Sequence, residues 1–503
     1  MRNGVRQLWV VAAAVLLACT APALHAQDLA SFSQRLTEHR LDNGLTFLIY
    51  ERPTAPVVSF FTYVNVGAAQ EVPGITGLAH MFEHMAFKGT STIGTTDWEA
   101  EKKALARVDE AYHALYRERT RLGGGNPETL KRLQKEFEDA QEAADGFIKK
   151  NEFGEIIDRE GGVGLNAGTS SDQTVYFYSL PANKVELWAY LESERFLDPV
   201  LREFYKERDV VMEERRLRTE SQPIGRLLEQ FVTTAFVAHP YKQPVVGYMS
   251  DLESFSREDA EAFYRTHYVP ANMVMAIVGD VRAKEIIPIL EKYFSRLPGG
   301  TPPPPLRTVE PPSLTEKVVR MPDASQPIYL EGYHRPAVTH PDNAVFEAIA
   351  EVLSTGRTSR LYRSLVRDKK IAAQVGVFNG FPGDKYPNLM LFFAVPSPGH
   401  SNEEVQAAIR EEIAKISKEP ITDDELTMVK TRAKADLIRS LDSNTGIAQQ
   451  LAEYQTLHGD WRELFRDVER IDKVSKEDIM RVAQATFVPT NRTVAMIVPQ
   501  DEQ

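Results

Sequence analysis

The first chemical signal is the run His80-Met81-Phe82-Glu83-His84. On a helix, positions i and i+4 share one face a turn apart, so His80 and His84 can reach a single metal ion. Glu83 sits beside them. A catalytic zinc takes three protein ligands and leaves one position open, and it lowers the pKa of a water to about 7. A nearby carboxylate can take that water's proton and pass it to a leaving amine. His-x-x-Glu-His is the inverted zinc-protease order. Met81, Phe82, Met85 and Phe87 give an apolar flank, which reads as core contact.

A third ligand has to come from elsewhere. Cysteine is excluded, because Cys19 is the only one and lies far upstream. The acidic segment 207–214, ERDVVMEE, reads as a helix. Glu207 and Glu214 are two turns apart and share a face, while Glu213 points about 100° away from Glu214. Either Glu207 or Glu214 could meet the metal, and the local sequence does not choose between them.

The elements that must position these residues come from an internal duplication. YVPANMVMAIV (268–278) returns as FVPTNRTVAMI (487–497), 219 residues on. In each copy a helix precedes a Pro-Asn turn and a buried strand. Further upstream GLAHMFEHMAFKGT (77–90) matches AVFEAIAEVLSTGR (344–357), where Gly89 pairs with Gly356 at an offset of 267. The first half therefore carries about 48 extra residues. Two charged helical stretches, 97–122 and 127–151, supply them, with GGGNP turning the chain between. This predicts a helical hairpin insertion over about 97–153, read as a solvated insert, with a docking arm as the alternative. GGTPPPPLRTVEPPS (299–313) reads as an extended linker. The expected halves are 30–298 and 314–503. Segments 45–51, 57–67 and 174–180 read as strands, and 183–197 and 202–220 as helices, which makes each half α+β.

Composition bounds the rest. Of 503 residues, 43% are hydrophobic and 26% charged, with a formal net charge of −12, a globular profile. No basic stripe is present, so no nucleic-acid partner is expected. One cysteine permits no disulfide within the chain. Residues 1–26 combine Arg2 and Arg6 with the apolar run Leu8–Ala18, too short to span a bilayer and suited to a signal peptide. Cleavage fits after Ala26 or Ala23, and Leu16-Leu17-Ala18-Cys19 offers a lipid anchor at Cys19 as the alternative. The expected location is the periplasm or the exterior, with no membrane span in the mature chain.

Over roughly 37–500 the chain resembles the pitrilysin-type metallopeptidases, peptidase family M16. LDNGLTFLI (41–49), GLAHMFEHMAFKGT, GLNAGTSSDQTVYF (164–177) and ERDVVMEE follow the order of that family's motifs. The resemblance implies an α+β fold of two homologous halves, each of two related sheet-plus-helices domains, closing as a clam-shell around a chamber. It implies one zinc per chain on His80, His84 and Glu214. Glu83 would be the catalytic base and Glu207 the carboxylate behind the ligands. Asn166 and Ala167 would lie on an edge that takes substrate as an added strand. The implied activity is a zinc endopeptidase acting on peptides or unfolded segments, with a water activated by Glu83 as nucleophile.

The second half breaks the pattern. Glu347, Ala350 and Glu351 stand where the first half has His80, Glu83 and His84, so no metal site is expected there. Active members often carry an Arg and, seven residues later, a Tyr. Arg367 fits as a substrate-binding residue, but position 374 is Gln and no Tyr follows before Tyr386. The chain therefore resembles the zinc-bearing partner of a two-subunit pair. A homologous second subunit is expected, as a heterodimer, with a homodimer as its rival. The alternative function is a weakly catalytic or non-catalytic peptide-binding subunit.

Overall fold

The computed structural model describes residues 29–500. The expected signal peptide and Cys19 lie outside the described residues. Among the described residues, no helix is long and apolar enough to cross a membrane.

Six strands build the first sheet: β1 (Leu36–Arg40), β2 (Thr46–Glu51), β3 (Val57–Val64), β4 (Val163–Thr169), β5 (Thr174–Pro181) and β6 (Met273–Gly279). Their order is β1-β2-β6-β3-β5-β4. The central β3, VVSFFTYV, is buried at every position after Val57, as expected of a strand covered on both faces. β4 is the edge strand.

The first half also carries α1 (Leu78–Met85), the hairpin α2 (Trp98–Arg119) and α3 (Pro127–Asp145), then α4 (Phe204–Arg215), α5 (Pro223–Ala235) and α6 (Arg257–His267). The hairpin is punctuated as its sequence dictates. Asp97 accepts from Ala100 N–H, and Asn126 accepts from Glu128 and Thr129 N–H with Pro127 at the first helical position. Its inner face is not solvated. Leu105, Val108, Tyr112, Leu115, Leu133 and Phe137 join the first-half core. Tyr112 also donates to Ser254 O and accepts from Arg208 of α4. The insert thus braces α4 from behind, and only its outer face fits the solvated reading.

The second half holds β7 (Lys317–Pro322), β8 (Ile328–Arg335), β9 (Ala372–Phe381), β10 (Asn388–Pro396) and β11 (Arg492–Val498). Their order, β7-β11-β8-β10-β9, repeats β2-β6-β3-β5-β4 strand for strand. Its helices include α7 (Asn343–Ser354), α8 (Asp423–Ser440), α9 (Asn444–His458), α10 (Glu463–Lys473) and α11 (Lys476–Thr486). The repeated Asn has a repeated task. Asn272 Nδ2 donates to His267 O and Asn65 O, and Asn491 Nδ2 donates to Thr486 O and His334 O. Each side chain ties the end of one helix to the end of the central strand.

Two findings correct the sequence reading. The fold is mixed α+β, and its halves close like a clam-shell around a cleft. Each half, however, has a single sheet, not two, because its strands all pair into one continuous ladder. A contiguous division at 299–313 also misses an exchange of helices. Leu227 and Phe231 of α5 pack on Leu330, Leu391 and Ile497 of the second sheet. In return, Ile447 and Leu451 of α9 pack on Leu48, Phe61 and Val278 of the first. Each half covers an apolar sheet face of the other, so burial of that surface holds the halves together.

Candidate active site

The helix bearing the His pair is fixed at its start. Gly77 has φ 97°, and a Cβ there would lie 2.8 Å from Val246 O, so only glycine fits. The buried Glu71 carboxylate accepts from Gly77 and Ala79 N–H, meeting the free donors of the first turn. Leu78, Met81, Phe82 and Met85 are buried in the first-half core, so the apolar flank is core, as read from sequence. This burial turns His80, Glu83 and His84 toward the cleft.

α4 brings its carboxylates to the same place. Glu214 Oε2 lies 3.6 Å from His80 Nε2 and 3.5 Å from His84 Nε2. Ligand atoms of His80, His84 and Glu214 all fall within 4.8 Å of one another. Tetrahedral zinc with bonds of about 2.0–2.1 Å separates its ligand atoms by roughly 3.4 Å, so the three donors fit that ion. Glu214, not Glu207, closes the triangle. Glu207 instead lies behind His84, its Oε2 3.4 Å from Nδ1. Directly after this helix, residues 216–220 form a π turn, a distortion frequent at functional sites.

The electrostatics follow from burial and neighbours. Burial holds the His80 imidazole below its ordinary value, against the pull of Glu214. At His84 burial acts the same way, but the hydrogen bond and charge of Glu207 outweigh it and hold the ring above its ordinary value. For Glu207, burial is overcome by hydrogen bonds from His84 and Lys88, and its carboxyl lies low.

An open cleft of about 830 Å³ surrounds these groups. Glu83 lines it, as do Asn166 and Ala167 on the edge strand β4. Arg367 does not reach it. That guanidinium is exposed and pairs with the neighbouring Asp368. The second half contributes Phe381 and Pro382. Their segment is anchored by Asp172, which accepts from Asp384 and Lys385 N–H and from Tyr241 O–H.

Sequence reasoning missed two cations. Lys88 Nζ donates to Glu207 Oε1 at 2.5 Å and to Glu203 Oε2 at 2.9 Å. Arg218 lies in the cleft with Nη1 2.5 Å from Glu214 Oε1. Each stands four residues after a proposed ligand, His84 or Glu214, but beyond the end of the ligand's helix, Lys88 after α1 and Arg218 in the π turn after α4, so helical spacing alone did not place them.

Comparison with known proteins agrees with this arrangement. The family model for insulinase (peptidase family M16) matches residues 46–120, which contain the His pair. The model for the peptidase M16 inactive domain matches residues 254–433. The chain is 29% identical to the zinc protease PqqE of Helicobacter pylori, over 96% of this chain and 97% of that protein. It is 24% identical to a probable mitochondrial-processing peptidase subunit beta of Arabidopsis thaliana, over 95% of this chain and 80% of that one. The crystal structure of a protease from Helicobacter pylori superposes with a TM-score of 0.77 at 28% identity, covering 92% of this chain and 99% of that one. The chain belongs to peptidase family M16, the pitrilysin-type metallopeptidases.

Proposed function

We propose that this chain is a zinc endopeptidase that hydrolyses peptides or unfolded polypeptide segments. One observation carries the reading: two imidazole nitrogens and one carboxylate oxygen converge within 4.8 Å at the wall of an open cleft. His80, His84 and Glu214 would hold one zinc per chain. When bound, that ion supplies Lewis-acid polarisation of a carbonyl and makes a water acidic near neutral pH.

The chain's own residues supply the remaining steps. A Glu83 carboxylate oxygen takes the proton of the attacking water and hands it to the leaving amine. The edge strand β4 can pair with an extended peptide along Asn166 and Ala167 once the Asn166 Oδ1, which now accepts from Ala167 N–H at 2.9 Å, gives up that donor. That pairing aligns the scissile bond and converts binding into orientation. Glu207 holds His84 with Nε2 facing Glu214.

A second reading keeps support from one observation: among the described residues the second half lends the cleft only Phe381 and Pro382. A wall that open suits a zinc-bearing subunit completed by a homologous partner, or a peptide-binding subunit of limited activity. The basic start and apolar run of residues 1–18 support export to the periplasm or beyond.

Peptide turnover by the purified chain, by Glu83→Gln, and by the chain with a co-purifying homologue tests these readings. Zinc-dependent cleavage lost in Glu83→Gln supports the endopeptidase, and a homologue that raises kcat supports the partner. Metal binding with no cleavage under any condition would leave only the peptide-binding subunit.

A further inference from the structure

The duplication gives the catalytic cleft a counterpart in the second half. Glu229, Gln243 and Val246 line the cleft. In the second half a separate cavity of about 280 Å³ lies between α7, α8, α9 and α10, lined by Gln450, Leu464 and Asp467 among others. Glu347 and Glu351, which replace the two histidines, also face it. The positions that hold the two histidines in the first half thus open, in the second, on a cavity walled by carboxylates. Among the described residues, the only group of histidines and acids close enough to share a metal is the triad of the first half.

What the cavity retains is a set of acids, of which Glu347 alone has no matching base among the described residues. Asp467 is 7% exposed. Its Oδ1 is paired with Arg470 and the Tyr454 hydroxyl stands beside the carboxylate, but the buried Oδ2 meets no donor in hydrogen-bonding geometry. A buried polar atom in that state points to an absent partner. Glu347 accepts from Asn343 Nδ2 at 2.8 Å and has no ion-pair partner among the described residues. Burial, reinforced by the charge of Asp467, pushes its carboxyl up to about 7, so it gains from a cation. Glu351 is already matched by Arg432 at 2.6 Å. Ala348, Leu437 and Ile471 make the intervening wall apolar.

We propose that this cavity is a binding site for an aliphatic cation, an alkylammonium or guanidinium group that sets its charge between Glu347 and Asp467 and its carbon chain on the apolar wall. A free amine and the basic side chain of a peptide share that chemistry. The size of the cavity suits one such chain, and an ammonium would give Asp467 Oδ2 the donor it lacks.

The test is calorimetric titration of the full chain with 1,5-diaminopentane, with 1,5-pentanediol as uncharged isostere, and with a lysine-containing pentapeptide on the Glu83→Gln background. The diamine should bind saturably, one per chain, at least tenfold tighter than the diol. Asp467→Asn should weaken it at least tenfold, and Glu83→Gln should leave it unchanged. Diamine binding that the peptide does not displace assigns a free amine, and displacement of the diamine by the peptide assigns a basic side chain. Failure of both charged probes, equal binding of the diol, or full binding by Asp467→Asn would overturn the site. The diol comparison decides the matter even where Asp467→Asn does not fold.

Discussion

Glu207 Oε2 lies 3.4 Å from His84 Nδ1, while Nε2 of the same ring faces Glu214 Oε2 at 3.5 Å. One carboxylate thus orients the imidazole, and the other meets the ring nitrogen that would bind the proposed zinc. A ligating histidine held this way loses roughly 10- to 100-fold in metal affinity when the outer carboxylate is removed. Glu207→Gln should show that loss in a chelator competition, with folding intact by circular dichroism. Unchanged affinity would make Glu207 merely a partner of Lys88, whose Nζ lies 2.5 Å from Oε1.

The metal itself should be stoichiometric. About one zinc per chain is expected by elemental analysis, and none in the His80→Ala, His84→Ala double variant. The warrant is that two of three convergent donors disappear and the remaining Glu214 cannot hold the ion alone. Stoichiometric zinc in the double variant would place the metal elsewhere.

Glu83 and Glu214 should separate by role. Glu83→Gln removes the proton acceptor and no ligand, so zinc should stay while turnover falls by about 10²–10⁴. Glu214→Gln should weaken zinc itself, because its Oε2 faces both imidazoles. Loss of zinc in the first variant with full zinc and activity in the second would reverse the assignment.

The site was more legible than the frame that holds it. His-x-x-Glu-His carries its own geometry, since helical spacing alone brings His80 and His84 to one face. The third ligand was not legible locally, because Glu207 and Glu214 share a face and only the approach of α4 to α1 decides between them. The repeat of Asn272 as Asn491 foretold equivalent turns, and the strand order bears out that equivalence. The exchange of α5 and α9 was invisible, because an amphipathic helix does not say whose sheet it will cover. Arg367 fell outside the cleft for a similar reason: in the π-helical turn Tyr362–Asp368, Leu365 takes the buried side and Arg367 pairs with Asp368 at the surface.

The paired asparagines make a stability prediction. Asn272 is 6% exposed and satisfies two carbonyls. Asn272→Ala strands both acceptors, at a cost of about 2–3 kcal/mol. Asn491 is half-buried, so water can replace part of its role and Asn491→Ala should cost about 1 kcal/mol. Chemical denaturation of the two variants should give that ranking. Equal, negligible losses would mean that the repeated residue is inherited without a structural task.

The last prediction concerns acid. His267 closes α6 with 8% exposure, packs 4.4 Å from the Phe263 ring, and has an Nδ1 without a partner. Burial alone lowers its pKa from 6.5 to about 4. The folded state therefore binds this proton less readily than the unfolded chain. The stability it contributes is fully present above about pH 6.5 and is lost as pH falls from there toward about 4, a change on the order of 3 kcal/mol. The buried His239 and the half-buried His334 are lowered the same way, so the parent's acid sensitivity is a sum over several groups. The difference between parent and His267→Leu isolates one of them. Urea midpoints measured at pH 7.5, 6 and 5 should fall less steeply in the variant, whatever its stability at pH 7.5. Parallel pH profiles in the two proteins would show that His267 is not the group that charges on unfolding.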